Sequence, residues 1–157
     1  MTDDYALPEA SPDFRSHFTD PVYEDPAGEF APFGTDEGSD MLHEWDERRG
    51  ELADSSTVSQ LLEESGYDGV EQHLDVPEPA GLGGERRPAH LPVPGGQIDA
   101  AFIVIAAGVT LLRLAGHIDE HGKRLTLKAL DVLIDFYDSP VPAELLRQRE
   151  DLASWGE

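Results

Sequence analysis

The chain has 157 residues, with 33 Asp and Glu against 11 Lys and Arg for a formal charge of −22, and it has no cysteine. These counts exclude a disulfide framework, Cys-ligated zinc or iron–sulfur centres, a Cys nucleophile and a basic nucleic-acid-binding surface. The length sets one domain with a modest core as the default, and 39% hydrophobic residues plus 15 Gly give an ordinary globular apolar share.

The opening stretch MTDDYALPEASPDF carries acids where a signal peptide needs a positive n-region, and it has no apolar run. A cytoplasmic protein is expected, and the lack of cysteine fits a reducing compartment. Residues 1–35 scatter Tyr5, Phe14, Phe18, Tyr23, Phe30 and Phe33 among five prolines without a sustained period. This composition predicts an extended arm pinned by its aromatics onto a surface made elsewhere. Ser11-Pro12-Asp13 can start one short helix through Phe18, because Ser is a good N-cap and Pro is tolerated at the first helical position.

A helix is predicted from Glu37 to Arg49, with Asp36 as N-cap, Met41, Leu42 and Trp45 on one stripe, and Gly50 as the stop. Arg48 and Arg49 fall in its last turn, where they complement the helix dipole. A second helix is predicted over Thr57–Ser65, started by Ser55 or Ser56 and ended by Gly66, with Tyr67 placed for the apolar contact that accompanies such a stop. Ten Pro and Gly residues then exclude a regular element between Val76 and Gln97. Arg86, Arg87 and His90 cluster in this loop, which is read as folding back on the acidic half rather than as a binding loop.

The next predicted helix, Ile98 to about Asp119, is apolar on nearly every side, the pattern of a helix surrounded by others. Its uncharged run, Ala100–Leu112, is 13 residues between Asp99 and Arg113, short of the ~20 that span a bilayer. It reads as a core helix, and no membrane partner is expected. Helices over Leu125–Tyr137 and Ala143–Ser154 complete the set, the first with Leu127, Leu130, Ile134 and Tyr137 on one face, the second with Leu145, Leu146 and Leu152. Trp155 lies beyond the last periodic leucine, as a partner anchor or a lid on the bundle. The elements make an all-α fold, a small helical bundle with a long irregular N-terminal arm. Residues 1–35 form the arm and 36–157 a single helical domain with a Pro/Gly-rich loop at 76–97.

The charge is unevenly spread. Residues 1–79 carry 22 acids and three bases, net −19, whereas residues 80–157 carry 11 acids and eight bases, net −3. The acidic half repels nucleic acid and anionic membranes and attracts basic partners. Acidic proteomes such as those of halophiles produce the same bias without a partner, and the scarcity of lysine, only Lys123 and Lys128, is compatible with that origin.

Glu29-Phe30-Ala31-Pro32-Phe33-Gly34-Thr35-Asp36-Glu37-Gly38-Ser39-Asp40 is not explained by composition alone. It resembles the signature of the YfeS-like family of uncharacterised bacterial proteins, which join an aromatic-Pro-Phe-Gly stretch to an acidic helix start. The resemblance implies a bacterial intracellular protein and carries no catalytic residue across. Physically, Phe30, Phe33 and Trp45 are candidate anchors, Gly34 a turn and Asp36 a cap. Asp36, Asp40, Glu44 and Glu47 recur at spacings of four, four and three and share a helix side with His43. Such a stripe is a candidate partner-binding face. Oxygen ligation of a hard cation is the alternative, although the calcium-loop spacing is missing.

His117-Ile118-Asp119-Glu120-His121 matches H-x-x-E-H, in which two histidines one helical turn apart bind zinc and the glutamate activates water. Its place between two helices favours a polar helix end with the histidines near the negative dipole, and no third ligand is marked. No cofactor is expected, since no nucleophile elbow, P-loop or dinucleotide fingerprint occurs. The leading expectation is an acidic intracellular interaction module, inhibitor- or immunity-like, masking a basic protein partner. A metal-dependent hydrolase using His117, Glu120 and His121 or the Asp36–Glu47 stripe, and a DNA mimic, are the alternatives.

Overall fold

The computed structural model describes residues 7–67, 69–75, 96–137 and 140–156. Six helices follow one another: α1 (Pro12–His17), α2 (Asp36–Glu47), α3 (Val58–Glu64), α4 (Gly96–Ala115), α5 (Glu120–Phe136) and α6 (Ala143–Ala153). Short 3-10 turns lie at Pro21–Glu24, Arg49–Glu51 and Val70–Asp75, and there is no strand among the described residues. The fold is all-α, as the periodicity predicts.

Helix α4 is the axis. Its twenty residues meet the length and composition of a membrane span, with a mean hydropathy of 2.0, yet 78% of that apolar window is buried inside the bundle. Helices α1, α2, α3 and α5 and the Val70–Asp75 turn all pack on it, while α6 packs on α5. Small residues let the neighbours close in. A Cβ placed on Gly108 would lie 2.3 Å from Thr126 Oγ1 on α5, so only glycine permits this approach.

One charge sits in this apolar axis. Arg113 is 2% exposed, and a buried guanidinium without partners is strongly unfavourable. The arm supplies them. Arg113 Nε donates to the Pro8 carbonyl at 2.8 Å, and Nη2 donates there too. Nη1 donates to the Tyr23 carbonyl at 3.2 Å, and the two terminal nitrogens grip the Glu24 carboxylate at 2.7 and 2.9 Å. All five N–H groups are therefore engaged by residues 8–24. The Phe14 and Phe33 rings flank the guanidinium at 5.8 and 5.6 Å. The Arg113 carbonyl, one of the orphan acceptors at a helix end, takes the Ser11 amide at 2.7 Å.

So held, the arm contains more regular structure than an extended strap. Ser11 caps α1 through the Phe14 amide with Pro12 in first position, as the sequence predicts. Phe14, Phe18 and Tyr23 form an aromatic cluster on which Trp155 closes from the C-terminus. Tyr23 donates to Asp151 Oδ2 at 2.8 Å, and His17 Nε2 lies 2.6 Å from the Asp151 carbonyl. Gln148 of α6 donates to the Phe30 carbonyl at 2.6 Å. Trp155 is thus a lid on the bundle, packed against His17 and Phe18.

Several boundaries differ from expectation for identifiable reasons. Thr35, not Asp36, caps α2, since its hydroxyl accepts the Gly38 amide at 3.0 Å and Asp36 is already the first helical residue. The helix closes at Arg48, and Gly50 belongs to the following 3-10 turn. Thr57, rather than Ser55 or Ser56, caps α3. Gly116, at φ +77, ends α4 before Asp119. Helix α5 starts five residues earlier than Leu125, because Asp119 caps it and Gly122 fits inside it against Val58, where a Cβ would come within 2.4 Å. Of the predicted loop at 76–97, Gly96 and Gln97 belong to α4; the rest, with Arg86, Arg87 and His90, lies outside the described residues.

Replacing Arg113 by Met should cost about 2–4 kcal/mol, because the Pro8 and Tyr23 carbonyls lose their donor inside the protein. Glu24→Gln, which keeps an acceptor at a half-exposed position, should cost clearly less; urea unfolding of both variants checks the order.

Burial pushes the Tyr23 phenol well above its ordinary range, and the Asp151 carboxylate adds to the shift. The folded chain then holds a proton that the unfolded chain releases above about pH 10, so stability is intact below that pH and falls as pH rises beyond it. Tyr23→Phe should lose about 1 kcal/mol at neutral pH but decline less steeply above pH ~10. Unfolding followed by circular dichroism across that range separates the two effects.

Candidate interaction face

Helix α2 divides its residues by period. Gly38, Met41, Leu42 and Trp45 turn inward, while Asp36, Glu37, Asp40, His43, Glu44 and Glu47 are exposed on the outer side. The chain reaches this helix through a tight knot in the resemblance segment. Asp25 Oδ1 accepts the Ala27 and Gly28 amides, and Gly34 presses so closely on Gly28 that a Cβ would lie 2.0 Å from its carbonyl oxygen. Gly34 is therefore required by close approach, with no positive φ involved. Phe33 is fully buried beside Arg113, and Phe30 packs against Phe102 and Tyr137.

Tyr67 joins the stripe from the next element. At the end of α3, Gly66 at φ +90 donates to the Glu63 carbonyl and Tyr67 N donates to the Leu62 carbonyl, which is the glycine stop predicted from the sequence. The turn sets the Tyr67 ring beside α2. Partial burial pushes its phenol up, and the negative charges of Glu37, Asp40 and Glu44 push it further. Glu37 and Tyr67 are thus members of the face that the four-residue stripe did not include.

The stripe is not uniformly free. Arg48 stacks over the Trp45 indole at 4.0 Å and binds Glu51 at 2.8 Å, Glu64 at 2.5 Å and Glu44 at 3.3 Å. Its hydrogen bond holds the Glu51 carboxyl below the usual range. Glu44 is therefore partly neutralised, whereas Asp36, Glu37, Asp40 and Glu47 make no ion pair among the described residues. Trp45 Nε1 donates to Ser65 Oγ at 2.8 Å, which locks α2 to the end of α3.

A cleft of about 260 Å³ opens beside Tyr67, between α3 and the Val70–Asp75 turn. Leu62, Tyr67, Glu63 and Glu71 are among its lining residues. Glu71 is held by the Ser59 hydroxyl at 2.5 Å and faces His121 Nε2 at 3.6 Å.

The H-x-x-E-H residues do not converge. His117 Nε2 lies 2.8 Å from the Ala53 carbonyl, His121 turns to Glu71, and Glu120 pairs with Arg124 at 3.1 Å. Among the described residues no group of three His, Asp or Glu is gathered to hold a metal. The segment's structural work falls to Asp119. Its Oδ2 accepts the Gly122 amide at 2.8 Å and its Oδ1 the Val58 amide at 2.9 Å, so one carboxylate caps α5 and binds the first residue of α3.

Capping energies follow from these bonds. Thr35→Ala should cost about 0.5–2 kcal/mol, and Asp119→Ala should cost more because two amides lose their acceptor. Asp36→Ala and Glu120→Ala, on exposed carboxylates, should stay within about 0.5 kcal/mol. Chemical denaturation of the four variants tests the ranking.

No protein-family model matches the chain, and neither a curated protein nor a solved structure matches it significantly.

Proposed function

We propose that the chain is an acidic protein-interaction module that masks a basic surface on a protein partner, as an inhibitor or immunity protein does. The carrying observation is the outer side of α2, where Asp36, Glu37, Asp40 and Glu47 are exposed and make no ion pair among the described residues, and where the charges of Glu37, Asp40 and Glu44 reach the Tyr67 phenol. Among the described residues, the arginines at the end of α2 are already committed. Arg48 is shared by three glutamates, and Arg49 binds Asp46 at 2.9 Å and the Glu9 carbonyl at 2.7 Å. Negative charge without an ion pair among the described residues thus remains on the outer side of α2, where a basic partner relieves its self-repulsion. The cellular setting proposed is a bacterial cytoplasm, in keeping with the resemblance of residues 29–40 to YfeS-like proteins.

Binding to such a partner should be electrostatically steered, with an association rate that falls as salt shortens the Debye length from about 10 Å at 0.1 M. Neutralising Glu37, Asp40 and Glu47 together should slow association roughly tenfold at low salt, while neutralising Glu144 and Glu150 on α6 should change it little. The test is capture from a native-host lysate on the immobilised chain, followed by kinetics at two salt concentrations. Partners insensitive both to salt and to the triple substitution would make the acidity an adaptation to environment.

A further inference from the structure

We propose that the cleft between α3 and the Val70–Asp75 turn is the anchor pocket of this face and takes one arginine side chain of the basic partner. The proposal rests on the reading that the partner is basic, and it adds where and how that partner is gripped. Two features of the cleft suit a guanidinium. The Tyr67 ring offers a face for the cation, and the planar guanidinium stacks on aromatic rings better than a compact ammonium does. Glu63 and Glu71 supply carboxylates, for which the arginine fork is the matching donor.

The charge around the cleft selects the same ligand. Tyr67 is shared between the cleft and the acidic side of α2, so Glu37, Asp40 and Glu44 add to the field of Glu63 and Glu71 and oppose any anion. Among the described residues no Lys or Arg lines the cleft, in contrast to the groove beside α6, where Arg147 sits among Asp20, Glu144 and Glu150. The two carboxylates differ in freedom. Glu71 is fixed by Ser59 and His121, while Glu63 is exposed and makes no ion pair among the described residues. Glu71 therefore shapes the pocket, and Glu63 is the group able to close on an incoming cation.

The test is a titration of the full chain with N-acetyl-arginine amide, read as amide shifts by heteronuclear NMR, with the neutral isostere N-acetyl-citrulline amide alongside. Saturable shifts confined to residues around Ser59, Gln60, Tyr67, Gly69 and Glu71 are expected with the arginine probe and none with citrulline. Tyr67→Leu should weaken the arginine probe about threefold to tenfold. Glu63→Gln, at an exposed position that does not endanger folding, should do the same. Equal binding of citrulline, or shifts spread along α2 and unchanged in both variants, would overturn the pocket. Such a result, with captured partners still dependent on salt and on Glu37, Asp40 and Glu47, would leave the basic-partner reading standing. A probe seated in the cleft beside salt-insensitive partners would do the reverse.

Discussion

The architecture depends on one buried guanidinium. Helix α4 is apolar around its whole circumference, so Arg113 finds no partner among the helices that pack on it. Residues three and four away in the chain, Val109 and Thr110 on α4 and Gly116 and His117 just past its end, offer no carboxylate. The arm must therefore cross the end of α4, and it delivers two carbonyls and a carboxylate in one pass. Glu24 is half-exposed, so the pair is only partly desolvated and its net contribution to stability is modest. Its larger effect is on register, because a shift of the arm by one residue would leave five donors unmet. Once the register is fixed, Phe14 and Phe33 reach the guanidinium, Tyr23 reaches Asp151, and α6 and Trp155 close over the arm.

In the acidic half, at net −19, one of the three bases is placed where several acids meet. Arg48 serves Glu44, Glu51 and Glu64, and the flat face of its guanidinium lies on Trp45, so the same side chain neutralises charge and covers the core. The C-terminal half contributes across the molecule as well. Arg147 on α6 lies 3.7 Å from Asp20 of the arm, and Arg113 binds Glu24. Among the described acids that make no ion pair are Asp36, Glu37, Asp40 and Glu47 on α2, where the helix period points them outward.

Much of this was legible in the sequence, and the failures share a cause. The inward stripe of α2, the buried character of α4, the Ser11-Pro12 helix start and the Gly66 stop are local signals, and they appear where local rules put them; on α5 only Leu130 of the predicted face is fully buried, and the inward side is Leu125, Thr126, Ala129, Leu130 and Leu133. The role of Arg113 was missed because it read as the charged end of an apolar run. The available sign was that no acid lies within one helical turn of it. Gly34 reads as a turn residue and Gly122 lies outside the helix predicted from Leu125, whereas the structure uses their lack of a side chain against Gly28 and Val58, contacts that sequence does not display. H-x-x-E-H suggested a metal because His and Glu are its usual ligands, yet Asp119 between them does the structural work through backbone amides 61 and three residues away. The acidic stripe was visible as spacing, but its completion by Tyr67 depends on how α3 docks against α2.

That docking bears on how the face can bind. Trp45 donating to Ser65 and Arg48 reaching Glu64 are contacts between the end of α2 and the end of α3, where the Gly66 turn fixes the backbone at Tyr67. They hold the backbone that carries Glu37, Asp40 and Glu63 as one unit. Partner association loses affinity to the ordering of loops and side chains, and here most of that ordering is done by the fold itself. A basic partner then meets a surface whose charges are already positioned. Its gain from pairing with them is offset mainly by desolvation, which is small for carboxylates that stay exposed at a rim and larger for any group drawn into the cleft beside Tyr67. In the proposed complex the charge of α2 and the cleft beside Tyr67 would do separate jobs, the first governing how fast a basic partner arrives and the second how long it stays.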